Sequence, residues 1–401
     1  MGETKEQLAI FGGTPVRKDK IFYGRQWINE DDVKAVAETL VSNYITTGPK
    51  VSEVEKKLCA YTGASYATAV SNGTAALHVA AMAIGLGPGD EVITTPLTFA
   101  ASANCALYCG ATPVFADIDP ETYNIDPADI ERKITEKTKA VIAVDFAGCS
   151  VDHLAIRDIC DRHGLVFIED AAHAIGTKDN GVQVGNIADL TCFSFHPVKT
   201  VTAGEGGAVL TKDPDLYHMC QILRTHGIEH DEAYMEEPHE GGWYYEQQYL
   251  GYNYRMTDFQ AALLCSQMNR LDFFVSRRKQ IVKRYNEAFA DLPGILLQKE
   301  IPTADACHHL YVIRLDPEKL TCTRREFFDA MSAENVQCQI HYVPVYWFPY
   351  YRNLGHRIGE CPHAEAVYRG IMSIPLYPML SDRDVEDCIC AVRKIADYYA
   401  K

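Results

Sequence analysis

Long uninterrupted apolar runs and an excess of positive charge are both missing from this 401-residue sequence. No stretch reaches the ~18 consecutive apolar residues of a membrane span, and the N-terminus has no apolar core of signal-peptide length. The formal net charge is −16, whereas nucleic acids and anionic membranes are bound by basic faces. These absences predict a cytoplasmic protein that binds neither nucleic acid nor a membrane.

The common metal and redox motifs are missing as well. The 14 cysteines form no Cys-x-x-Cys pair, and the 14 histidines form no His-Glu-x-x-His. In a chain of this length without a secretory signal, cysteines are expected to be reduced thiols that pack as small apolar side chains. The sequence therefore predicts no metal site.

Short apolar runs alternate with helical segments between residues 71 and 211. The segments 73–85, 99–110 and 153–164 have helical patterns that end at glycine. Five runs rich in Val, Ile and Phe are predicted strands: 91–95, 113–118, 140–146, 165–170 and 190–195. This alternation predicts an α/β fold with a mainly parallel sheet covered on both faces.

The chain is longer than one hydrophobic core usually supports. Its patterns predict an N-terminal segment and a large domain over 1–256, a long connecting helix over 257–294, and a smaller α+β domain over 295–401. Pro293-Gly294 is the stop signal of the helix. Residues 228–250 fit neither a helical nor a strand period, so we expect a long loop there.

Two reactive side chains follow predicted strands, where ligands of parallel sheets bind. Lys199 lies in a loop of small residues after the strand 190–195. A lysine shielded from water has a lowered pKa and can form a Schiff base with a carbonyl compound. Asp170 ends the strand 165–170, close to His173. The simpler alternatives are a solvated loop lysine and a helix-capping aspartate.

Two further features lie at the starts of helices. "SNGTAALHVA" (71–80) is a small polar loop that opens directly into a helix, which offers free N–H groups to an anion. Phe99 is an aromatic residue at a strand-to-helix junction. Helix capping and core packing are the simpler explanations of these two features.

Together the four features meet the needs of one cofactor. An aldehyde-bearing pyridine phosphate needs a lysine for its Schiff base, an acid for its ring nitrogen, an anion cradle and a flat apolar surface. The sequence has all four on successive loops of the predicted sheet. We therefore predict pyridoxal 5′-phosphate (PLP) as the cofactor, with pyridoxamine phosphate as its amino-carrying form.

Over essentially its whole length the sequence resembles the DegT/DnrJ/EryC1/StrS sugar aminotransferases. That family has the aspartate-aminotransferase (type I PLP) fold and works as homodimers with shared active sites. The stretches that carry the resemblance are "SNGTAALHVA", "GDEVITTPLTFAASANC", "FIEDAAHAIGT", "FSFHPVKTVTAGEGGAV" and "LGYNYRMTDFQAAL".

The resemblance implies a role for each matching residue. Lys199 would be the Schiff-base lysine and the proton carrier of transamination, and Asp170 the partner of the pyridine nitrogen. Phe99 would stack on the ring, and His173 would lie near the ring hydroxyl. The matches to the phosphate cradle are Gly73, Thr74, Ser194 and, from the other subunit, Asn253.

Within the family, the resemblance is to members that use L-glutamate to aminate carbon 4 of a UDP-linked 4-keto-6-deoxy-N-acetylhexosamine, in pseudaminic acid-type biosynthesis. The stretches concerned are "FYGRQWINEDDV", "SNYITTGP", "FHPVKTVTAGEGG" and "QIHYVPVYWFPYY". The implied substrate contacts are Tyr23, Asn43, Tyr44, Thr46, His341 and Tyr342. Packing of aromatic loops is the alternative explanation for these residues.

Several different functions remain open at this point. A Rossmann oxidoreductase would need Gly-x-Gly-x-x-Gly directly after a strand, whereas "GLGPGDE" (85–91) precedes one. Sugar dehydratases of the same fold have histidine in place of the Schiff-base lysine, so Lys199 argues against them. An aminotransferase for a dTDP- or GDP-linked sugar would share the motifs described above, as would a non-catalytic regulatory relative.

Overall fold

The computed structural model describes residues 6–238 and 241–401. The α-helices of these ranges are α1 (Glu30–Leu40), α2 (Pro49–Thr62), α3 (Gly73–Ala83), α4 (Ala101–Tyr108), α5 (Pro127–Lys133), α6 (His153–His163), α7 (Pro214–Leu223), α8 (Asp258–Met268), α9 (Leu271–Phe289), α10 (Arg324–Ala333), α11 (Pro349–Asn353), α12 (Pro362–Gly370) and α13 (Asp382–Tyr399). No helix in the described ranges is both long and apolar enough to cross a membrane.

The strands of these described ranges belong to four sheets. They are β1 (Tyr66–Val70), β2 (Glu91–Thr94), β3 (Thr112–Phe115), β4 (Thr138–Val144), β5 (Val166–Asp170), β6 (Lys178–Asp179), β7 (Val182–Gln183), β8 (Leu190–Ser194), β9 (Gly207–Thr211), β10 (Ile228–Glu229), β11 (Glu246–Gln247), β12 (Ile295–Leu297), β13 (Ala304–Asp305), β14 (Tyr311–Leu315) and β15 (Ile371–Ile374).

The main sheet has seven strands in the order β1-β9-β8-β5-β4-β2-β3. The pairs β2/β3, β2/β4, β4/β5 and β5/β8 are parallel, and β9 is antiparallel to both of its neighbours. The five predicted strands are therefore confirmed as β2, β3, β4, β5 and β8. Apolar side chains of α3 and α6 pack on the sheet, as the near-continuous burial of β4 requires.

The predicted connecting helix over 257–294 is two helices, α8 and α9, which are separated at Asn269 and Arg270. Arg270 has a non-helical ψ of 6° and donates hydrogen bonds to the Asp32 carboxylate and the Trp27 carbonyl. The break lets α8 pack on α1 and α2 while α9 packs on α13. Neither glycine nor proline marks this break in the sequence.

The C-terminal part has its own core around the antiparallel sheet β12-β14-β15, with α10 and α13 packed on it. Leu8 and Ile21 from the N-terminal segment are buried in the same core, and Ile21 pairs with Val336. The N-terminal segment thus packs on the C-terminal part. The domain boundaries drawn from the sequence stay a prediction.

The segment 228–250, predicted as a long loop, contains the short antiparallel pair β10 and β11 and one 3₁₀ turn over Glu232–Tyr234. Residues 239 and 240 lie outside the described residues. The rest of the segment is irregular, and Trp243 is 76% exposed.

Candidate active site

A cavity of about 720 Å³ opens where β5 and β8 end and α3 begins. A site at this place agrees with the rule that ligands of parallel sheets bind beyond the carboxyl ends of the strands. The residues proposed from the sequence that line it are Tyr23, Gly73, Thr74, Phe99, Asp170, His173, Ser194, Lys199, His341 and Tyr342.

Asp170 is 5% exposed and lies at the end of β5. Its carboxylate accepts a hydrogen bond from the Ser102 hydroxyl at 2.6 Å and one from the Ala172 N–H at 3.1 Å. Burial raises the pKa of Asp170, while these two bonds and the charge of Lys199 act against that rise. Asp170 is therefore an oriented, buried carboxyl group whose ionised form is stabilised by a cationic group next to it.

Lys199 lies in the turn after β8, where its backbone N–H donates to the His196 carbonyl. Burial lowers the pKa of the Lys199 ammonium to about 8, although the charge of Asp170 opposes this shift. At neutral pH a measurable fraction of the amine is therefore unprotonated, which is the form that attacks a carbonyl carbon.

Three imidazoles and a phenol form one wall of the cavity. The His173 ring lies 4.5 Å from that of His309 and stacks on Tyr342, whose hydroxyl is 3.2 Å from His173 Nε2. His341 Nδ1 is 2.9 Å from the Ser373 hydroxyl. Burial lowers the pKa of His173 and His309 well below the usual value, and that of His341 to about 4. These rings are neutral at pH 7 and act as hydrogen-bonding groups.

The N-terminus of α3 forms a cradle for an anion. Its cap is Asn72, whose side chain accepts from the Ala75 N–H. A Cβ atom at Gly73 would lie 2.8 Å from the Ser194 Cβ, and one at Gly207 would lie 2.4 Å from the Asn72 carbonyl oxygen. Only glycine lets the backbone segments approach so closely. The N–H groups at the start of α3, which line the cavity, suit a phosphate group.

The donors and surfaces of this cavity fit pyridoxal phosphate. Lys199, the buried Asp170 and the anion cradle all line the cavity. Phe99 lines it too and supplies an aromatic face, since its side chain is 63% exposed and its ring lies 6.4 Å from that of Tyr342. Among the described residues, the buried His173 Nδ1 has no hydrogen-bond partner, so it is free for a polar atom of a ligand.

Four of the proposed site residues do not line this cavity within the described part of the chain: Asn43, Tyr44, Thr46 and Asn253. All four are exposed. Thr46 pairs with Thr257, and the Asp258 N–H donates to the Ile45 carbonyl. The segment 43–46 therefore lies beside the segment that leads from Asn253 into α8.

Several residues of the site were not found from the sequence. Ser102 orients Asp170 and is itself 2.7 Å from the Thr98 hydroxyl, and His309 completes the imidazole wall. Ser102 follows Phe99 by three residues and lies in the first turn of α4, and this short separation is the signal that could have placed it. His309 comes from a segment far along the chain, just before β14, and no local pattern indicates it.

Comparison with known proteins matches residues 26–393 to the sequence model of the DegT/DnrJ/EryC1/StrS aminotransferase family. The spore coat polysaccharide biosynthesis protein SpsC of Bacillus subtilis (strain 168) is 43% identical over 375 residues, which cover 93% of this chain and 96% of SpsC.

Solved structures of aminotransferases share the fold. Spr1654 of Streptococcus pneumoniae, assigned as a sugar aminotransferase and solved in its PLP form, is 32% identical with a TM-score of 0.87, covering 94% of this chain and 99% of that one. Helicobacter pylori PseC, an aminotransferase of pseudoaminic acid biosynthesis, is 30% identical with a TM-score of 0.87, covering 95% and 100%.

Proposed function

Because this chain belongs to the DegT/DnrJ/EryC1/StrS aminotransferase family, we propose a defined sugar amination as its reaction. The amino group of L-glutamate is transferred to carbon 4 of a UDP-linked 4-keto-6-deoxy-N-acetylhexosamine. This is the reaction of UDP-4-amino-4,6-dideoxy-N-acetyl-β-L-altrosamine transaminase, in pseudaminic acid biosynthesis. PLP is the cofactor, since the family depends on it and relatives are solved in PLP and pyridoxamine phosphate forms.

The observation that carries the proposal is the presence of Lys199 and Asp170 in one cavity with an anion cradle. The residues proposed to hold PLP are Lys199, Asp170, Gly73, Thr74, Ser194, Phe99 and His173. When bound, PLP supplies an electron sink and a carrier for the amino group.

Proton transfer is assigned to Lys199. A catalytic base works best when its pKa is near the working pH, and burial brings the pKa of Lys199 to about 8. The Asp170 carboxylate stabilises a positive charge next to it, because it is buried and is oriented by the hydrogen bond from Ser102.

The sugar nucleotide is assigned to the mouth of the cavity. Tyr23, His341 and Tyr342 line it, with the Tyr23 and His341 rings 5.6 Å apart. Such side chains offer apolar faces to a sugar or base and hydrogen-bonding groups to its hydroxyls. As a protein of net charge −16, the chain must bind an anionic substrate through local contacts.

A second candidate acceptor is a keto sugar destined for a polysaccharide. The 43% identity to SpsC, a protein of spore coat polysaccharide biosynthesis, favours it. The chemistry at Lys199 would be the same, and the nucleotide or the sugar would differ.

Product analysis tests the substrate. The purified holoenzyme, supplied with glutamate and UDP-, dTDP- and GDP-linked 4-keto sugars, should convert only the UDP-linked N-acetyl sugar efficiently. Mass spectrometry and NMR should show nitrogen on carbon 4, with one 2-oxoglutarate formed per sugar.

Amination at carbon 3, or of dTDP- or GDP-linked sugars alone, would keep the reaction class and remove this substrate. Loss of a hydroxyl without transfer of nitrogen would contradict the reaction class too. Incubation without sugar controls for glutamate turnover by the cofactor alone.

Each active site is further proposed to be shared by two subunits of a homodimer. Asn253 and the segment 43–46 are exposed and lie outside the cavity of their own chain, and Thr46 pairs with Thr257, which follows Asn253 by four residues. The same surface carries apolar groups that a monomer rarely leaves in contact with water, with Tyr44 56% and Ile45 50% exposed. In a dimer these residues are assigned to the partner's cavity.

Subunit mixing tests the shared site. Lys199→Ala and Asn253→Ala dimers should each be impaired, whereas a mixed dimer has one site with both natural residues. Random reassortment should restore about a quarter of wild-type activity, because half of the dimers are mixed and each has one intact site of two. If remixed wild-type protein regains activity and the mixed variants do not, the shared site is wrong.

A further inference from the structure

Four ionisable side chains are buried on the side of β5 that faces away from the cavity. Glu169 precedes Asp170 in β5, so the two side chains point to opposite faces of the sheet. Around Glu169 lie Asp145, His153 and Asp179, and the four residues are 0%, 0%, 1% and 3% exposed in that order. Three acids and one imidazole cannot be buried this deeply unless protons or a cation balance their charge.

The hydrogen bonds of His153 indicate that both of its ring nitrogens carry a proton. Nε2 bonds to Glu169 Oε1, and Nδ1 lies 3.1 Å from Asp179 Oδ2 and 3.0 Å from the Ser150 hydroxyl. The Ser150 hydroxyl donates to the Val151 carbonyl, so towards His153 it can only accept. His153 helps to lower the pKa of both Glu169 and Asp179, which favours their ionised, acceptor-only forms. With acceptors next to both ring nitrogens, both nitrogens donate.

Asp145 lies close to Glu169, with ligand atoms of the two residues within 4.8 Å of each other. Its Oδ1 accepts from the Val151 N–H at 3.0 Å, and among the described residues no donor reaches Oδ2, which is buried. Burial and the charge of Glu169 raise the pKa of Asp145 well above its usual value. An ionised carboxylate this close to a buried acid disfavours ionisation of that acid, so the neutral form of Asp145 is favoured.

The pKa shifts of His153 and Glu169 are consistent with a protonated His153 beside an ionised Glu169. Burial alone would lower the pKa of His153, but Glu169, Asp179 and Asp145 raise it well above the usual value. Burial alone would raise the pKa of Glu169, but the charge and hydrogen bond of His153 lower it. Among the described residues, the Asp145 charge also contributes to raising the pKa of two thiols, Cys149 and Cys307.

We propose that these four side chains form a positioning network for Asp170, in which doubly protonated His153 joins Glu169 to Asp179 and the neutral acid of Asp145 donates to Glu169. The network holds Asp170 through the backbone on two sides. Glu169 is its neighbour in β5, and the Asp145 N–H donates to the Asp170 carbonyl at 3.2 Å. The inference rests on the proposed role of Asp170 towards the cofactor and is independent of the sugar substrate.

A bound divalent cation is the alternative, since ligand atoms of Asp145, His153 and Glu169 all lie within 4.8 Å of one another. The direct bond between His153 and Glu169 leaves no space for an ion between them. Metal analysis of the purified holoenzyme should therefore find no stoichiometric metal. One divalent ion per chain that is lost in His153→Gln would overturn the proton network.

Nitrogen NMR of ¹⁵N-histidine-labelled holoenzyme at pH 8 tests the protonation state directly. One imidazole should remain doubly protonated, and its signals should vanish in His153→Gln. His163→Gln is the matched control, because His163 lies on the same helix and bonds a glutamate, Glu131, at 2.8 Å but is exposed. A neutral imidazole assigned to His153 would contradict the proposal.

Cofactor binding tests the positioning role. In His153→Gln the dissociation constant of PLP should rise about tenfold, the effect of one pKa unit of interaction. The pH midpoint of the cofactor absorbance should move upwards, since loss of the His153 charge favours protonated groups nearby. A purely structural role would leave this midpoint unchanged.

The variant Asp145→Asn tests whether the Asp145 side chain is a neutral acid or an ionised carboxylate. Asparagine keeps the acceptor for Val151 and offers an N–H to Glu169, so PLP binding and the absorbance midpoint should stay near those of the wild type. If this variant loses as much PLP affinity as His153→Gln while circular dichroism shows a native fold, Asp145 is a carboxylate and the proposed network is wrong. Unchanged PLP binding in His153→Gln would remove the positioning role.

Discussion

Replacement of Lys199 by alanine is expected to lower kcat by about 10⁴-fold, because it removes both the amine that binds the cofactor and the proton carrier, and general acid–base catalysis alone contributes about 10²–10⁴. Borohydride reduction should attach PLP to the peptide that contains Lys199 in the wild type and to no peptide in the variant. Lys212→Ala is the matched control, since Lys212 is exposed after β9 and outside the cavity.

The same lysine should give PLP capture a defined pH dependence. Only the unprotonated amine reacts, and burial lowers the pKa of Lys199 to about 8. The rate at which apoenzyme captures PLP should therefore rise with pH up to about 8 and level off above it. Label on a different lysine, or a rate that still rises steeply at pH 10, would show that Lys199 is not this nucleophile.

Asp170→Asn is expected to reduce kcat by about 10²–10⁴-fold. Loss of one partner from a buried charge pair costs about 3–5 kcal/mol, and each 1.36 kcal/mol is tenfold in rate. Asparagine has nearly the shape of aspartate but no negative charge, so the variant should still bind PLP while it loses the electron-withdrawing form of the ring. The cofactor spectrum and single-turnover rates with glutamate measure the two effects separately.

Ser102→Ala provides a graded comparison. It removes the 2.6 Å hydrogen bond to Asp170 and leaves the charge in place, so we expect a loss of about tenfold, which corresponds to a hydrogen bond of about 1.5 kcal/mol to a charged group. If Asp170→Asn retained wild-type turnover, or if Ser102→Ala were the more damaging change, Asp170 would be a structural residue.

The sequence by itself determined the features that depend on neighbours along the chain. Val-, Ile- and Phe-rich runs identified five strands of the main sheet, and their alternation with helices determined that these strands are parallel. In such a sheet the carboxyl ends meet at one edge, so Asp170 at the end of β5 and Lys199 after β8 could be placed in one site. The family resemblance and the fold predicted from it are confirmed.

The tertiary structure alone decided what depends on contacts distant in sequence. The break between α8 and α9 has no local signal, and it follows from the contacts of Arg270 with Asp32 and Trp27. His309 reaches the cavity, and His153 meets Glu169, only because segments distant in the chain pack together. The periodicity of a sequence indicates which face of a helix or strand is apolar. Burial, pKa shifts and the sharing of protons depend instead on atoms that tertiary packing brings within a few ångströms of each other.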